Sequence, residues 1–296
     1  MLNRSLLKFI PARFYQYLNI LVQVNLENQN LAIPLDANGG IENIFWKKLW
    51  RAEVIKSLMH PSDGVFIDVG ANIGQTLLDL RLTHPKARYI GFEPNVNCVN
   101  YLQKLIQSNN LQNYLIIPVG LSEANQVLPL YRQQGLLIDS GGTILSNLRP
   151  QKPCEVDFVP CFRFDDVWQT LKINDIDFVK IDVEGAELEA LIGMKTSLQE
   201  YRPLILCEVL FTSADADLSA QKLRNDQLMQ LLTNMNYEVF QLIKSGDETR
   251  IVDTKKVEGF PSAYWSMENQ ALCDYLFIPE EKRAQALNGL LSGRRA

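Results

Sequence analysis

Residues 65–76 read V-F-I-D-V-G-A-N-I-G-Q-T, and this stretch decides the fold class. Val65, Phe66, Ile67 and Val69 form a short, nearly continuous apolar run, the composition of a parallel strand covered on both faces. Asp68 interrupts the run just before a glycine turn, and a carboxylate buried at a strand end needs a partner. Gly70 and Gly74 stand where the backbone must bend sharply and admit a close approach, and Gln75 to Leu82 then carries leucines at helical spacing. Strand, glycine loop and helix in succession are the opening of a nucleotide site in an α/β sheet.

Spacing narrows the nucleotide. The dinucleotide fingerprint G-x-G-x-x-G does not fit the order D-x-G-x-N-x-G, and no lysine follows Gly74 as a phosphate loop requires. The missing glycine spacing also argues against a nucleotide-dependent oxidoreductase. An acid before the first glycine and an amide, Asn72, between the glycines suit an amino-acid-bearing cofactor, for which S-adenosylmethionine (SAM) is the obvious candidate.

Outward from this stretch, Arg88 to Phe92 reads as a second strand ending in Glu93. An acid there can accept hydrogen bonds from both hydroxyls of a ribose. Asp177 to Ile181 reads as a fourth strand leading into Asp182-Val183-Glu184, and Leu204 to Glu208 as a fifth that again ends in an acid. Ligands of open α/β sheets bind at the carboxyl ends of the strands, so Asp182, Glu184 and Glu208 form the candidate catalytic face. Lys180, in a strand covered on both faces, must snorkel out or pair with a carboxylate, which makes it a candidate balancing charge. Acids held this close imply a raised carboxyl pKa, a neighbouring lysine or a divalent cation, the cation being the less favoured. The competing reading is that Asp182 and Glu184 only cap the helix beginning near Gly185.

DVGANIG (68–74), GFEPN (91–95), KIDVEGAE (180–187) and RPLILCE (202–208), in that order, resemble the seven-stranded SAM-dependent methyltransferases and, within them, the FkbM-type family. The resemblance covers about Val65 to Leu210. It implies an α/β fold: a doubly wound, Rossmann-like, mostly parallel sheet of strand order 3-2-1-4-5-7-6 with an antiparallel last strand. It implies SAM as cofactor, S-adenosylhomocysteine (SAH) as product, and O-methylation of a sugar, a glycan or another small hydroxylated metabolite. Asp68, Gly70, Asn72, Gly74 and Glu93 are then the cofactor-binding residues. The adenine would lie against Gly120-Leu121-Ser122-Glu123, with Leu121 on one face and Ser122 and Glu123 as hydrogen-bonding candidates. The alternatives are a non-catalytic SAM-binding or scaffold protein and an N-methyltransferase on a different acceptor.

The 296 residues, 47% of them hydrophobic, suffice for a sizeable core. A net charge of −5 argues against a nucleic-acid partner held through phosphate neutralisation. Five cysteines without C-x-x-C spacing read as thiols of a reducing compartment, and no segment has the length of a transmembrane span, so the sequence predicts a cytoplasmic protein. The expected organisation is an N-terminal appendage over 1–58, a methyltransferase domain over 59–279 and a polar, mobile tail over 280–296. The appendage reads as an amphipathic segment, a hairpin from Ile20 to Pro34 and a helix from Glu42 to Met59 that packs Phe45, Trp46 and Trp50 on the core. The excursion over 125–163 is either a substrate-facing flap or a surface insertion. His60 and His84 precede strands and so lie opposite the site.

Overall fold

The computed structural model describes residues 2–3, 18–37, 39–45, 50–60, 64–146, 153–213 and 216–292. Most of the predicted amphipathic segment lies outside them, as does Trp46. The described chain begins with β1 (Leu2–Asn3), β2 (Ile20–Leu26) and β3 (Gln29–Leu35), the last two a hairpin. Its turn residues Glu27 and Asn28 both have positive φ, the turn hand that matches strand twist. Instead of one helix over 42–59, two are seen, α1 (Ile41–Ile44) and α2 (Trp50–Leu58).

The sheet and its helices follow: β4 (Val65–Val69), α3 (Gln75–Thr83), β5 (Arg88–Phe92), α4 (Val96–Ser108) and β6 (Tyr114–Ile117). A small second sheet is made by β7 (Gly120–Leu121), β8 (Gln126–Gln133) and β9 (Cys154–Phe162). The chain then returns through α5 (Phe164–Leu171), β10 (Phe178–Ile181), α6 (Glu187–Gly193), α7 (Lys195–Tyr201) and β11 (Leu204–Glu208). It ends with α8 (Leu218–Asn234), β12 (Tyr237–Lys244), β13 (Ile251–Val257), β14 (Asp274–Pro279) and α9 (Arg283–Ser292).

The large sheet runs β6-β5-β4-β10-β11-β14-β12-β13. Its first seven strands have the expected order 3-2-1-4-5-7-6, and β14 is antiparallel to both neighbours. The sheet has eight strands rather than seven. The extra one, β13, folds back on β12 through a turn in which the Asp247 carboxylate accepts from Ser245 and Thr249 hydroxyls. Alternate strand residues feed two cores. Phe66, Tyr89 and Phe178 stack on one face, at 6.2 and 5.4 Å between rings, under α2, α3, α4 and the hairpin. Ile67, Ile90, Val179 and Ile205 face α5, α6 and α8.

Two expectations at the ends need correction. Trp50 is buried as predicted, but Phe45 is 39% exposed. Residues 283–292 are not a loose tail but helix α9, with Ala286 and Leu290 buried in the core that also takes in α2. Gly289 allows that crossing, since a Cβ there would lie 2.8 Å from the Ser57 carbonyl oxygen. A glycine inside the run A-L-N-G-L-L weakens the helix signal, which hid the element in the sequence.

Candidate active site

The glycine loop leaves β4 at Gly70, whose φ of +82° favours glycine and whose added Cβ would fall 1.9 Å from the Asp182 carbonyl oxygen. The close approach demanded by this glycine is therefore to the end of β10. Gly70 N and Ala71 N donate to the Phe92 carbonyl at 3.0 and 3.1 Å, tying the loop to the end of β5. There Glu93 is buried, accepting from Asn72 N on one oxygen and from Asn95 N on the other, each at 2.8 Å. Burial pushes its carboxyl up to about 7 against the pull of those two donors. Each oxygen keeps a lone pair for a ligand. Gly74 opens α3 at φ +85°, and a Cβ there would meet Leu102 and Leu105 at 2.8 and 3.2 Å, so this glycine serves helix packing.

Lys180 pairs instead of snorkelling. It sits beside Asp68 in the β4–β10 register, and its Nζ donates to Gly70 O at 3.1 Å and lies 3.4 Å from Asp68 Oδ1 and 3.3 Å from Asp182 Oδ2. Asp68 is fully buried and also accepts from the Tyr89 hydroxyl at 2.6 Å. Burial raises its carboxyl despite Lys180. Asp182 is hydrogen-bonded to Glu208, and the pair divides its titration. Burial acts to raise Asp182, but Lys180 and the bond from Glu208 hold it below the usual carboxylate range. Burial and the charges of Asp182 and Asp274 push Glu208 up to about 9. The two carboxyls share a hydrogen bond and titrate as a pair, with Lys180 favouring the charge on Asp182.

The turn after β10 is pinned from several sides. Glu184 and Gly185 both have positive φ, 54° and 98°. Gly185 N donates to Glu187 Oε1 at 2.8 Å, Arg224 Nη2 donates to Gly185 O at 2.9 Å, and Thr143 Oγ1 donates to Glu184 O at 2.7 Å. Thr143 belongs to the 125–163 excursion, which in this structure is the β8–β9 ribbon and its connecting loop.

An open cavity lies between these parts. Of the sequence-predicted residues, Gly70, Asn72, Glu93, Leu121, Asp182 and Glu184 line it. Asp68 and Lys180 stand behind the lining, and Glu208 reaches it through Asp182. Ser122 is buried away from it, with Ser122 N donating to Phe162 O, and Glu123 is exposed elsewhere. Leu130, Asp139 and Ile144 of the excursion line the cavity and escaped the sequence reading. The only signal for Asp139 was the turn Asp139-Ser140-Gly141, where its carboxylate accepts from Gly141 N and Gln133 N. The excursion thus forms one wall of the cavity.

The lining fits SAM. Glu93 offers a buried, doubly accepting carboxylate for a ribose, Leu121 an apolar face for adenine, and the carboxylates suit a cationic sulfonium. Asp182, Glu184 and Glu208 also bring carboxylate oxygens within 4.8 Å of one another, but Lys180 already supplies a positive charge beside Asp182.

The model of the family described as the methyltransferase FkbM domain matches residues 68–239. Methyltransferase sdnD of Sordaria araneosa is 29% identical over 160 residues, 45% of this chain and 61% of that protein. The methyltransferase FkbM of Methylobacillus flagellatus has a TM-score of 0.45 at 17% identity, covering 77% of this chain and 48% of that one. A Streptococcus mutans protein crystallised with SAH has a TM-score of 0.40 at 8% identity, over 77% of this chain and 93% of its own. The chain therefore spans about three fifths of the sdnD methyltransferase and half of the M. flagellatus protein. Among the described residues no helix is long and apolar enough to cross a membrane. With more than half of its length matched by that family model, the chain belongs to the FkbM methyltransferase domain family.

Proposed function

We propose that this methyltransferase acts on a hydroxyl oxygen of a small, uncharged hydroxylated acceptor, a sugar or glycan being the leading class. The observation that carries the reading is the Lys180–Asp182–Glu208 arrangement beside the cavity. SAM brings a methyl group already activated on a sulfonium, which leaves the protein to align the acceptor and take its proton. Glu93 holds the ribose hydroxyls, and Asn72 and Gly70 shape the loop beneath them. Asp182, ionised at neutral pH, accepts the acceptor's O–H and orients a lone pair toward the cavity. With the methyl passing from the sulfonium to the oxygen and neutral SAH leaving, the oxygen's hold on its proton would weaken and Asp182 would take that proton, so a carboxylate of low pKa is a sufficient base. Lys180 balances the charge of Asp182, and neutral Glu208 steadies it by donating a hydrogen bond. Glu184 presents a second acceptor position for a neighbouring hydroxyl.

The test is turnover on a panel of hydroxylated acceptors by Asp182→Asn and Glu184→Gln, with and without a chelator, alongside SAH binding by calorimetry. Loss of turnover in Asp182→Asn with SAH affinity kept supports the reading. Full activity in both variants leaves these acids only a capping role, and loss on chelation alone favours a bound cation. Five unpaired thiols, Cys154 exposed among them, fit a reducing compartment such as the cytoplasm.

A further inference from the structure

β13 and β14 are joined by residues 258–273, and because β14 runs antiparallel to β11 this connection arrives at the carboxyl edge of the sheet, where Asp274 opposes Glu208. The loop is firmly anchored. Thr212 N donates to Ala263 O at 3.1 Å and Trp265 N donates to Thr212 O at 2.8 Å. Asn269 spans the turn, accepting from Ser266 N at 2.8 Å and donating to Tyr264 O at 2.9 Å. At the base Phe260 is buried against Tyr275 and Phe277, and Cys273 Sγ donates to Glu208 Oε1 at 3.0 Å. Yet Tyr264, Trp265 and Met267 are 47, 50 and 73% exposed, whereas Trp50 and Trp168 are buried. A loop held by this many bonds presents its indole and phenol to solvent in a fixed place. None of residues 258–273 lines the cavity itself, but the loop reaches the sheet edge at which the strands of Asp182 and Glu208 end, and large aromatic faces left open there are surfaces for a ligand.

We propose that Tyr264 and Trp265 are the acceptor platform of this enzyme, binding the C–H face of a neutral pyranose ring whose hydroxyl rim meets Asp182 and Glu184. The inference rests on the methyl-transfer reading above and adds the subsite and the ligand chemistry. A flat aromatic surface takes a ring with one apolar face, and the phenol and indole N–H reach its polar edge. The neighbouring carboxylates exclude acceptors carrying phosphate or carboxylate, by like-charge repulsion. A wholly apolar ring would strip water from those carboxylates without returning hydrogen bonds. A pyranose satisfies both surfaces, and flexible Met267 can adapt to its substituents.

The experiment uses the full chain saturated with SAH, titrated with methyl hexopyranosides and, separately, with hexuronic acids and hexose phosphates, by saturation-transfer NMR. The expected result is binding of neutral glycosides, weakened about tenfold in Trp265→Ala, kept in Trp265→Phe, and much weaker for the anionic sugars. SAH affinity should be unchanged in every variant. Glycoside binding within twofold of wild type in Trp265→Ala and Tyr264→Ala, no glycoside binding at all, or equal binding of anionic sugars would overturn the platform. A dimer that dissociates in Trp265→Ala would assign the face to a second copy of the chain instead. Failure of the methyl-transfer reading shows separately, as glycoside binding without turnover in the wild-type protein given SAM.

Discussion

Replacing Lys180 by Met keeps the length of the stem and removes the charge that holds three parts of the site together. In the wild type its ammonium lies 3.4 Å from Asp68 Oδ1, 3.3 Å from Asp182 Oδ2 and 3.1 Å from the Gly70 carbonyl. Asp182, about a third exposed, can recover solvation from water, but Asp68 is fully buried and cannot. Removing one partner of a buried ion pair typically costs about 3–5 kcal/mol, a large share of the ~5–15 kcal/mol that stabilises a domain. The cost should depend on pH. Asp68 already has a raised folded pKa, so its contribution is fully present below the ordinary carboxylate pKa and is lost as pH rises through the folded value. Without Lys180 that folded pKa climbs further, and the deficit of the variant grows from pH 5 to pH 8. Urea denaturation followed by circular dichroism at both pH values measures it. Asp68→Asn in the same chain keeps an acceptor for the Tyr89 hydroxyl, removes the orphaned charge and should restore at least about half of the loss. A cost below ~1 kcal/mol, a cost independent of pH, or no recovery in the double variant would refute the assignment of Lys180 as the counter-ion of Asp68.

Glu93, raised to about 7, should make SAH affinity pH-dependent: binding weakens as pH falls from 8 to 6, by roughly tenfold, and Glu93→Gln loses both affinity and this dependence in calorimetry. Gly70→Ala forces a Cβ against the Asp182 carbonyl at φ +82° and should cost about 3 kcal/mol or more in denaturation, with loss of SAH binding. Thr143→Ala removes the bond from the excursion to Glu184 O; it should cost only about 1 kcal/mol but speed proteolytic nicking within 134–146 in the absence of SAH.

The strands and helices that pass through the centre of the sheet were legible because burial on two faces writes itself as apolar runs of four to six residues, and each such run here ends at an acid or a glycine turn. Arg88–Phe92 and Leu204–Glu208 match their predicted bounds. What was hidden is what one-dimensional spacing does not carry. β13 is an exposed edge strand, I-V-D-T-K-K-V, whose polar residues face water and imitate a loop. α7 follows α6 after Met194 alone, so the two blur into one region of mixed pattern. Gly70, Glu93 and Asp182 reach the cavity lining from strand ends, positions that are readable in the sequence. Asp139 and Ile144 were not readable, because they reach the cavity only through the return of the β8–β9 ribbon. Ser122 and Glu123, candidates through the family resemblance, stay off the cavity lining: Ser122 is buried with its N–H given to Phe162 O, and Glu123 is exposed.

These observations also explain why the functional parts sit on one turn. Residues 182–187 touch the glycine loop, where Gly70 must lack a side chain to clear the Asp182 carbonyl. They hold the ribbon through Thr143, and they are held by α8 through Arg224, whose guanidinium is in turn fixed by Glu189. Glu184 adopts a left-handed φ that a non-glycine residue takes at a cost of about 1 kcal/mol or more, so the surrounding bonds must over-determine it. Glu187 contributes from beneath: burial pushes its carboxyl up to about 8 while Gly185 N still donates to it, so at neutral pH it can pin the turn without adding a full charge to an already acidic site. Cofactor loop, acids and ribbon therefore share one mechanical reference. A ligand that bridges Glu93 and the ribbon should stiffen the acids it does not touch, because the ribbon is bonded to Glu184 O through Thr143 and the glycine loop closes against the Asp182 carbonyl.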